Sequence, residues 1–229
     1  MKKISLVLDL SSALYLGIVD EKSVTLAYRI RGQGTRGESA HALLDECLAE
    51  AGMDVSCIAD MCVGVGPGSF TGIRVCAALA QGLAFPAKLP LFPFSSLAAM
   101  AACALLPKEA GATPASSSLN RLPVVAAIAA NSGRYYVRNS KGEEALLSAD
   151  DLLGLGDGSA LVTSGTVPDL ERVGSRFASI ARMEDLADFG HIAKLAHSSA
   201  PVTNGILRPN YLMLSAAEEK RNMAGETPR

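Results

Sequence analysis

The sequence predicts a layered α/β protein assembled from two successive halves of similar design. Three short aliphatic segments followed by helix, strand and helix patterns make up the first half, and a second run of strand patterns begins after a segment rich in Ser, Ala and Pro. Of the 229 residues 49% are apolar, but only 5% are aromatic and none is Trp. Ala, Leu and Val must therefore supply the packing, as is common where helices cover an aliphatic sheet.

The first half is predicted to have the order βββαβα, followed by a further short strand and an Ala-rich helix. Short β-branched or aliphatic segments separated by polar turns predict strands, and Gly52 and Pro86 are suitable helix ends. The predicted strands cover 4–8, 14–19, 24–30, 58–65 and 89–94, the predicted helices cover 39–51, 71–85 and 95–106, and a Gly- and Arg-rich loop covers 31–37.

A change of composition at residues 107–121, PKEAGATPASSSLNR, predicts a linker or a surface loop. We place the domain boundary there, with an N-terminal subdomain at 1–106, a C-terminal subdomain at 122–216 and a frayed tail at 217–229. A second strand meander after the boundary indicates a duplicated architecture. In this part the predicted strands cover 122–130, 134–139, 145–148 and 160–163, and the predicted helices cover 150–155 and 183–197.

Charge and targeting signals restrict the class of protein. The net charge is −2 and the basic residues form no stripe, so the chain alone is expected to bind RNA weakly. The start, MKKISLVLDL, lacks the features of a signal peptide, and the apolar run at 94–106 is shorter than the roughly 20 residues of a membrane span. Five cysteines without a CxxC pair predict buried, reduced thiols and a cytoplasmic protein.

A glycine-rich turn, VGVGPGSFTGIR at residues 63–74, precedes the second helix. It fits no catalytic template, because a Walker loop needs a lysine, a dinucleotide fingerprint needs GxGxxG and a nucleophile elbow needs GxSxG. The residues instead predict a structural turn, with glycines for positive φ, a rigid proline and a hydroxyl that caps the helix. This predicted turn consists of Gly64, Gly66, Pro67, Gly68, Ser69, Phe70, Thr71 and Arg74.

The helix after the turn is apolar nearly all round, because only Arg74 and Gln81 are strongly polar. Such a helix is expected to be buried on two sides. Two interpretations stay open: the helix is central in its own domain, or one side docks a second polypeptide. A flat strip of small residues, suited to close packing by another helix, is formed by Gly72, Cys76, Ala80 and Ala84.

The chain resembles the TsaB (YeaZ) family, a component of the bacterial machinery that makes N6-threonylcarbamoyladenosine in tRNA. The similarity covers most of the chain. Its marks are a first strand ending in Asp9, the block VGVGPGSFTGIRVCAALAQGLAF, and the segments FSSLAAMA, SGRYYV and RPNYL. The resemblance implies an actin- and Hsp70-like (ASKHA) fold of two related domains with mixed sheets flanked by helices.

The resemblance also implies a non-catalytic subunit that pairs through its N-terminal helices with the transferase subunit TsaD, with the ATPase TsaE joining the complex. No cofactor is expected on this chain, since ATP and metal would belong to the partner subunits, and tRNA would be contacted only indirectly. Two copies are expected to pair through the same surface when TsaD is absent. The residues assigned to that surface are Leu44, Cys47, Leu48, Gly72, Ile73, Cys76, Ala77, Ala80, Gln81 and Ala84.

Missing ligand residues agree with such a role. Actin-like folds use an Asp followed by Gly in the first hairpin, so that backbone N–H groups approach phosphate. Here Asp9 is followed by Leu10, Ser11 and Ser12, which we interpret as a vestigial ligand loop, and Ala129 stands where a carboxylate is expected in the second half. The three histidines form no HxxxH pair. No catalytic residue and no metal ligand is therefore predicted.

Two alternatives stay open. A glycoprotease-like hydrolase would have to use the hydroxyl of Ser69 or Thr71, although no His and carboxylate pair is placed to activate either. A nucleotide-binding regulator would hold ADP or ATP between the two domains without turnover. The chain also departs from the family where its first helix opens with ESAHALL, which displaces His41, and where the 107–121 insertion is longer than usual.

Overall fold

The computed structural model describes residues 3–32, 38–106, 119, 121–203 and 206–212. Most of the predicted loop at 31–37, nearly all of the predicted linker at 107–121 and the whole predicted tail at 217–229 lie outside these residues. The position of the domain boundary therefore stays a prediction.

Ten strands and seven α-helices form in the described residues. The strands are β1 (Ile4–Asp9), β2 (Leu14–Asp20), β3 (Thr25–Arg31), β4 (Ile58–Gly64), β5 (Leu91–Phe94), β6 (Val124–Ala129), β7 (Arg134–Arg138), β8 (Glu144–Ser148), β9 (Ala160–Ser164) and β10 (Ser179–Arg182). The helices are α1 (Glu38–Glu50), α2 (Phe70–Ala87), α3 (Ser96–Ala104), α4 (Ala149–Leu153), α5 (Leu170–Gly174), α6 (Met183–Leu186) and α7 (Phe189–His197).

Two five-stranded mixed sheets organise the chain. The first has the order β3-β2-β1-β4-β5, and the second has the order β8-β7-β6-β9-β10. In both sheets the three leading strands form an antiparallel meander, and the two later strands run parallel to the first strand of that meander. The same order in both sheets shows a duplicated architecture, as the sequence predicts.

Helices cover and separate the two sheets in five layers. Helices α1 and α2 cover the outer face of the first sheet, where Leu6, Leu44 and Cys76 share one core cluster. Helices α3, α6 and α7 lie between the sheets, in a core to which Val7 of the first sheet and Ile128 of the second both contribute. Helices α4 and α5 cover the outer face of the second sheet. The two halves are therefore joined through a common core.

Several element boundaries differ from the prediction. Pro86 does not end α2 but lies inside its last turn, which Lys88 completes in a left-handed conformation by donating its N–H to the carbonyls of Ala84 and Phe85. The predicted helix at 183–197 is two helices, because Asp188 caps α7 and interrupts the run. Strand β10 and helix α5 were not predicted, since four or five residues carry too little periodicity to detect.

Candidate functional site

The glycine turn packs against the loop that joins β1 to β2. The Ser69 N–H donates to the Ser11 carbonyl at 2.6 Å. A Cβ on Gly68 would lie 2.3 Å from that same carbonyl oxygen, and a Cβ on Gly72 would lie 2.0 Å from the carbonyl oxygen of Leu10. Glycine is therefore needed where the two backbones touch. The Ser69 hydroxyl accepts the Gly72 N–H at 3.2 Å, so Ser69 rather than Thr71 caps α2.

The RPNYL segment near the C terminus closes over this turn. The Asn210 N–H donates to the Val65 carbonyl at 2.7 Å. The guanidinium of Arg74 lies 3.7 Å from the centre of the Phe70 ring, and its Nε donates to the Tyr211 hydroxyl at 3.0 Å. These contacts explain physically why the glycine block and RPNYL occur together in one sequence.

The residues assigned to a docking surface face inward instead. The Cys76 thiol donates to the Leu8 carbonyl at 3.5 Å, and the Gln81 side chain accepts the N–H of Leu207 at 3.1 Å. A repeat of small residues allows close packing but does not say which apolar face of the helix meets the chain's own sheet, and the assignment of these residues to a partner contact stays a prediction. Of the ten, Leu44, Cys47, Leu48, Ile73, Cys76, Ala77, Ala80 and Ala84 are buried, and Gly72 and Gln81 are half-buried.

The opposite side of α2 is uncovered by the described residues. Thr71, Ala78, Gly82 and Phe85 are exposed and Val75 is half-buried, at spacings of three and four that place them on one side of the helix. We call these five residues the outward stripe. Phe85 is 85% exposed, which is unusual for a ring of that size.

Helix α2 is also the one helix in the described part of the chain that is long and apolar enough to cross a membrane by length and composition. Its mean hydropathy is 1.2, and 28% of its 18 residues are buried. Core helices of soluble proteins meet the same criteria, and one side of α2 does pack on the first sheet. Within the described residues, the other side of the helix has no cover.

The cleft between the two halves lies at the carboxyl ends of β1 and β9. The Ser12 hydroxyl oxygen is 2.6 Å from that of Ser164, and the Tyr15 hydroxyl oxygen is 2.5 Å from it. Glu184 accepts the N–H of Gly165 at 2.9 Å. These bonds close the cleft, and the cavity beside them has room for about one water molecule.

Asp9 lies at the floor of this cleft and is 6% exposed. Burial raises the pKa of its carboxyl, because the charged form loses its hydration. The hydroxyls of Ser96 and Ser11 lie close enough to lower this pKa in part, although neither makes a hydrogen bond of ordinary geometry. The Ser11 N–H donates to Asp9 Oδ1 at 2.8 Å. The carboxyl therefore keeps its proton to a higher pH than an exposed aspartate does, and the interpretation of this loop as vestigial stays a prediction.

We expect Asp9→Asn to stabilise the protein at neutral pH. Because folding raises the pKa of Asp9, the contribution of this residue to the free energy of unfolding is fully present below the unfolded-state pKa of about 3.9. This contribution is lost as pH rises through the folded-state pKa. Asn keeps an acceptor for the Ser11 N–H and does not ionise. In thermal melts from pH 4 to pH 8 the variant should therefore gain Tm over wild type as pH rises, whereas Asp45→Asn, at an exposed aspartate on α1, should not. Parallel Tm curves for Asp9→Asn and wild type would contradict this expectation.

Solved structures show the fold class. The chain matches YeaZ from Pseudomonas aeruginosa with a TM-score of 0.69 and 24% identity, over 92% of this chain and 100% of that one. A second P. aeruginosa structure, described as an uncharacterized protein similar to the peptidase YeaZ, matches with a TM-score of 0.65 and 23% identity over the same shares. The duplicated pair of mixed sheets is thus an actin-like (ASKHA) fold.

The family model described as TsaD, tRNA N6-adenosine threonylcarbamoyltransferase, matches residues 37–187, about two thirds of the chain. The chain belongs to this family. Curated relatives place it with the TsaB (YeaZ) members: the tRNA threonylcarbamoyladenosine biosynthesis protein TsaB of Haemophilus influenzae is 44% identical over 89 residues, and that of Escherichia coli is 37% identical over 94 residues. These segments cover 36% and 41% of this chain, and only 38% and 36% of the relatives' lengths.

Sequence reasoning missed several residues that build this region. Ser164, Tyr15 and Glu184 close the cleft, although none belongs to a motif that predicts such a role. Tyr211 and Asn210 were quoted only as marks of family resemblance, and their contacts with the glycine turn follow from the fold. Hydroxyl contacts between strand ends 149 residues apart leave no local pattern in a sequence.

Proposed function

We propose that this chain is a non-catalytic subunit that supports N6-threonylcarbamoyladenosine modification of tRNA by docking to a TsaD-type transferase subunit. Membership of the threonylcarbamoyltransferase family and similarity to TsaB proteins of tRNA threonylcarbamoyladenosine biosynthesis support the pathway. The observation that carries the docking role is the outward stripe of α2, which is mostly apolar and which the described residues leave uncovered. The closed cleft supports the absence of catalysis.

The outward stripe has the anatomy of a helix-packing interface. Ala78 and Gly82 are small enough to let a partner helix approach closely, and Phe85 can fill a pocket as a central anchor. The neighbouring α1 exposes His41, Asp45 and Glu46, which suit the polar rim of an interface rather than its core. We therefore assign the partner contact to the outward sides of α1 and α2 and not to the buried strip.

The proposal divides the chemistry among the subunits. ATP and metal belong to the TsaD-type subunit and to a TsaE-type ATPase, and this chain contributes no cofactor to the reaction. Contact with tRNA is indirect, as the net charge of −2 suggests. A second copy of the chain occupies the same stripe when the transferase subunit is absent, and the complex works in the cytoplasm.

The test is an Arg placed in the middle of the outward stripe. Ala78→Arg puts a long charged side chain where a partner helix packs, and we expect it to weaken binding to purified TsaD at least 100-fold. Size-exclusion chromatography with light scattering, run on the chain alone and with TsaD, measures both pairing with TsaD and self-pairing. Because Ala78 is exposed, the circular dichroism spectrum should stay unchanged.

Ala145→Arg is the matched control, since Ala145 is exposed on β8 of the second sheet, in the other half of the chain. This variant should bind TsaD as wild type does. Undiminished TsaD binding by Ala78→Arg would refute the assigned surface. Failure of the wild-type chain to bind TsaD under any condition would refute the docking role itself.

A further inference from the structure

We propose that Asp60, Cys62 and His197 form a metal site suited to Zn²⁺. The three residues lie neither in the cleft nor on the outward stripe. They combine three different ligand types, carboxylate, thiol and imidazole, whose donor atoms all lie within 4.8 Å of one another. The site joins the first sheet to the last helix of the second half.

Local structure explains how the ligands meet. Asp60 and Cys62 alternate along β4, and residues two apart in a strand point to the same side of the sheet. His197 is the last residue of α7, which packs across that side of the first sheet. The carboxyl end of a helix carries a partial negative charge that favours a cation. The fold therefore brings the three donors together although 135 residues separate Cys62 from His197.

The distances fit one shared ion. His197 Nε2 lies 3.1 Å from Asp60 Oδ1 and 3.7 Å from Cys62 Sγ. In a tetrahedral zinc site with ordinary bond lengths, the nitrogen and oxygen ligands are about 3.4 Å apart and the nitrogen and sulfur ligands about 3.6 Å. Both observed distances are within a few tenths of an ångström of these values, so His197 is placed to share an ion with either of the other two residues.

A catalytic triad is the competing interpretation of a Cys, a His and an Asp in contact. In a triad the nucleophile and the carboxylate bind opposite nitrogens of the imidazole. Here the thiol and the carboxylate both contact Nε2 of His197, so they do not bind opposite nitrogens as a triad requires. Burial raises the pKa of the Cys62 thiol, so the free thiol is a poor nucleophile and a metal ion would have to displace its proton on binding.

The surroundings suit a metal ion that enters from solvent. The side chains of Asp60 and His197 are 20% and 35% exposed, which leaves an entry route and a fourth position for water. The Phe92 ring contacts the His197 ring edge-on, with 4.5 Å between their centres, and so limits the rotation of the imidazole. A thiolate with an imidazole favours Zn²⁺ over Mg²⁺ or Ca²⁺, which prefer oxygen ligands.

Zinc binding is expected to tie α7 to β4 and so to stabilise the folded chain. Titration of the purified, tag-free chain with ZnCl₂ against a chromophoric chelator should reveal one binding site. Its Kd should lie below about 10 μM, an affinity expected of a partly open site. Saturating Zn²⁺ should raise Tm, since a ligand that binds only the folded state stabilises it. Co²⁺ should produce a thiolate-to-cobalt charge-transfer band.

Matched variants identify the ligands. His197→Gln and Cys62→Ala should each weaken zinc binding at least tenfold and abolish the Tm rise, and Cys62→Ala should also remove the cobalt band. His191→Gln, on the same helix, and Cys47→Ala, at a buried cysteine of α1, should bind zinc as wild type does. Because His197 is partly exposed, His197→Gln is decisive even if Cys62→Ala folds poorly.

Two results would overturn the proposal. One is a wild-type chain that binds no Zn²⁺ at 100 μM, an upper concentration well above the expected Kd. The other is zinc affinity that His197→Gln leaves unchanged, since the bound ion would then lie elsewhere on the chain.

Discussion

Phe189→Ala is expected to lower the free energy of unfolding by about 3–5 kcal/mol. Phe189 is 1% exposed and opens α7, from which its ring stacks on Tyr28 of β3 with 5.4 Å between ring centres. A Cβ on Gly17 would lie 2.3 Å from this ring, so the sheet is shaped closely around it. Truncation leaves a cavity that this surface cannot collapse to fill. Urea unfolding followed by circular dichroism measures the loss.

Phe85→Ala is the matched control, because Phe85 is 85% exposed. Its truncation should change the free energy of unfolding by less than about 0.5 kcal/mol while it weakens binding to TsaD at least tenfold. Equal destabilisation by the two variants would show that α7 does not pack on the first sheet as described. The pair thus separates folding from docking with the same substitution.

Gly72→Ala is expected to destabilise the protein by about 2 kcal/mol or more, although alanine is the better helix former. The new Cβ would lie 2.0 Å from the Leu10 carbonyl oxygen, which belongs to the backbone and cannot rotate away. The helix and the β1–β2 loop would have to separate. Thermal and urea unfolding both report this loss.

Gly82→Ala, on the same helix, tests the same substitution without the clash. A Cβ on Gly82 has nothing within 4 Å, so the variant should gain about 0.5–1 kcal/mol from helix propensity. Opposite signs for the two variants are the expected outcome. A stabilising effect of Gly72→Ala would show that α2 and the β1–β2 loop are not in contact.

Strand and helix patterns in the sequence are enough to predict the main elements of both sheets. The meander in each half is built from aliphatic runs with clear polar breaks, such as those at Ile4–Asp9 and Leu14–Asp20. Short elements such as Ser179–Arg182 were not predicted, because they contain few residues and are at most half-buried. Asp188 interrupts a helical pattern by capping, which periodicity alone does not detect.

The proposed docking surface was harder to predict than the fold. A helix that is apolar all round is predicted to be covered on two sides. Cys76 and Ala78 differ too little in polarity and size to show which side meets the chain's own sheet. Residues that are far apart in the sequence form no local motif, so a motif search does not detect the clusters that they form in the fold. His197, Asp60 and Cys62 come together only because α7 returns to the first sheet.

The hydroxyl contacts of Ser12 and Tyr15 with Ser164 have a consequence for molecular recognition. They hold the two sheets in one arrangement before any partner arrives, so hinge motion between the halves is restricted in the free chain. A preorganised subunit loses little conformational entropy on association. In the docking role proposed above, the chain would therefore bind as one rigid body.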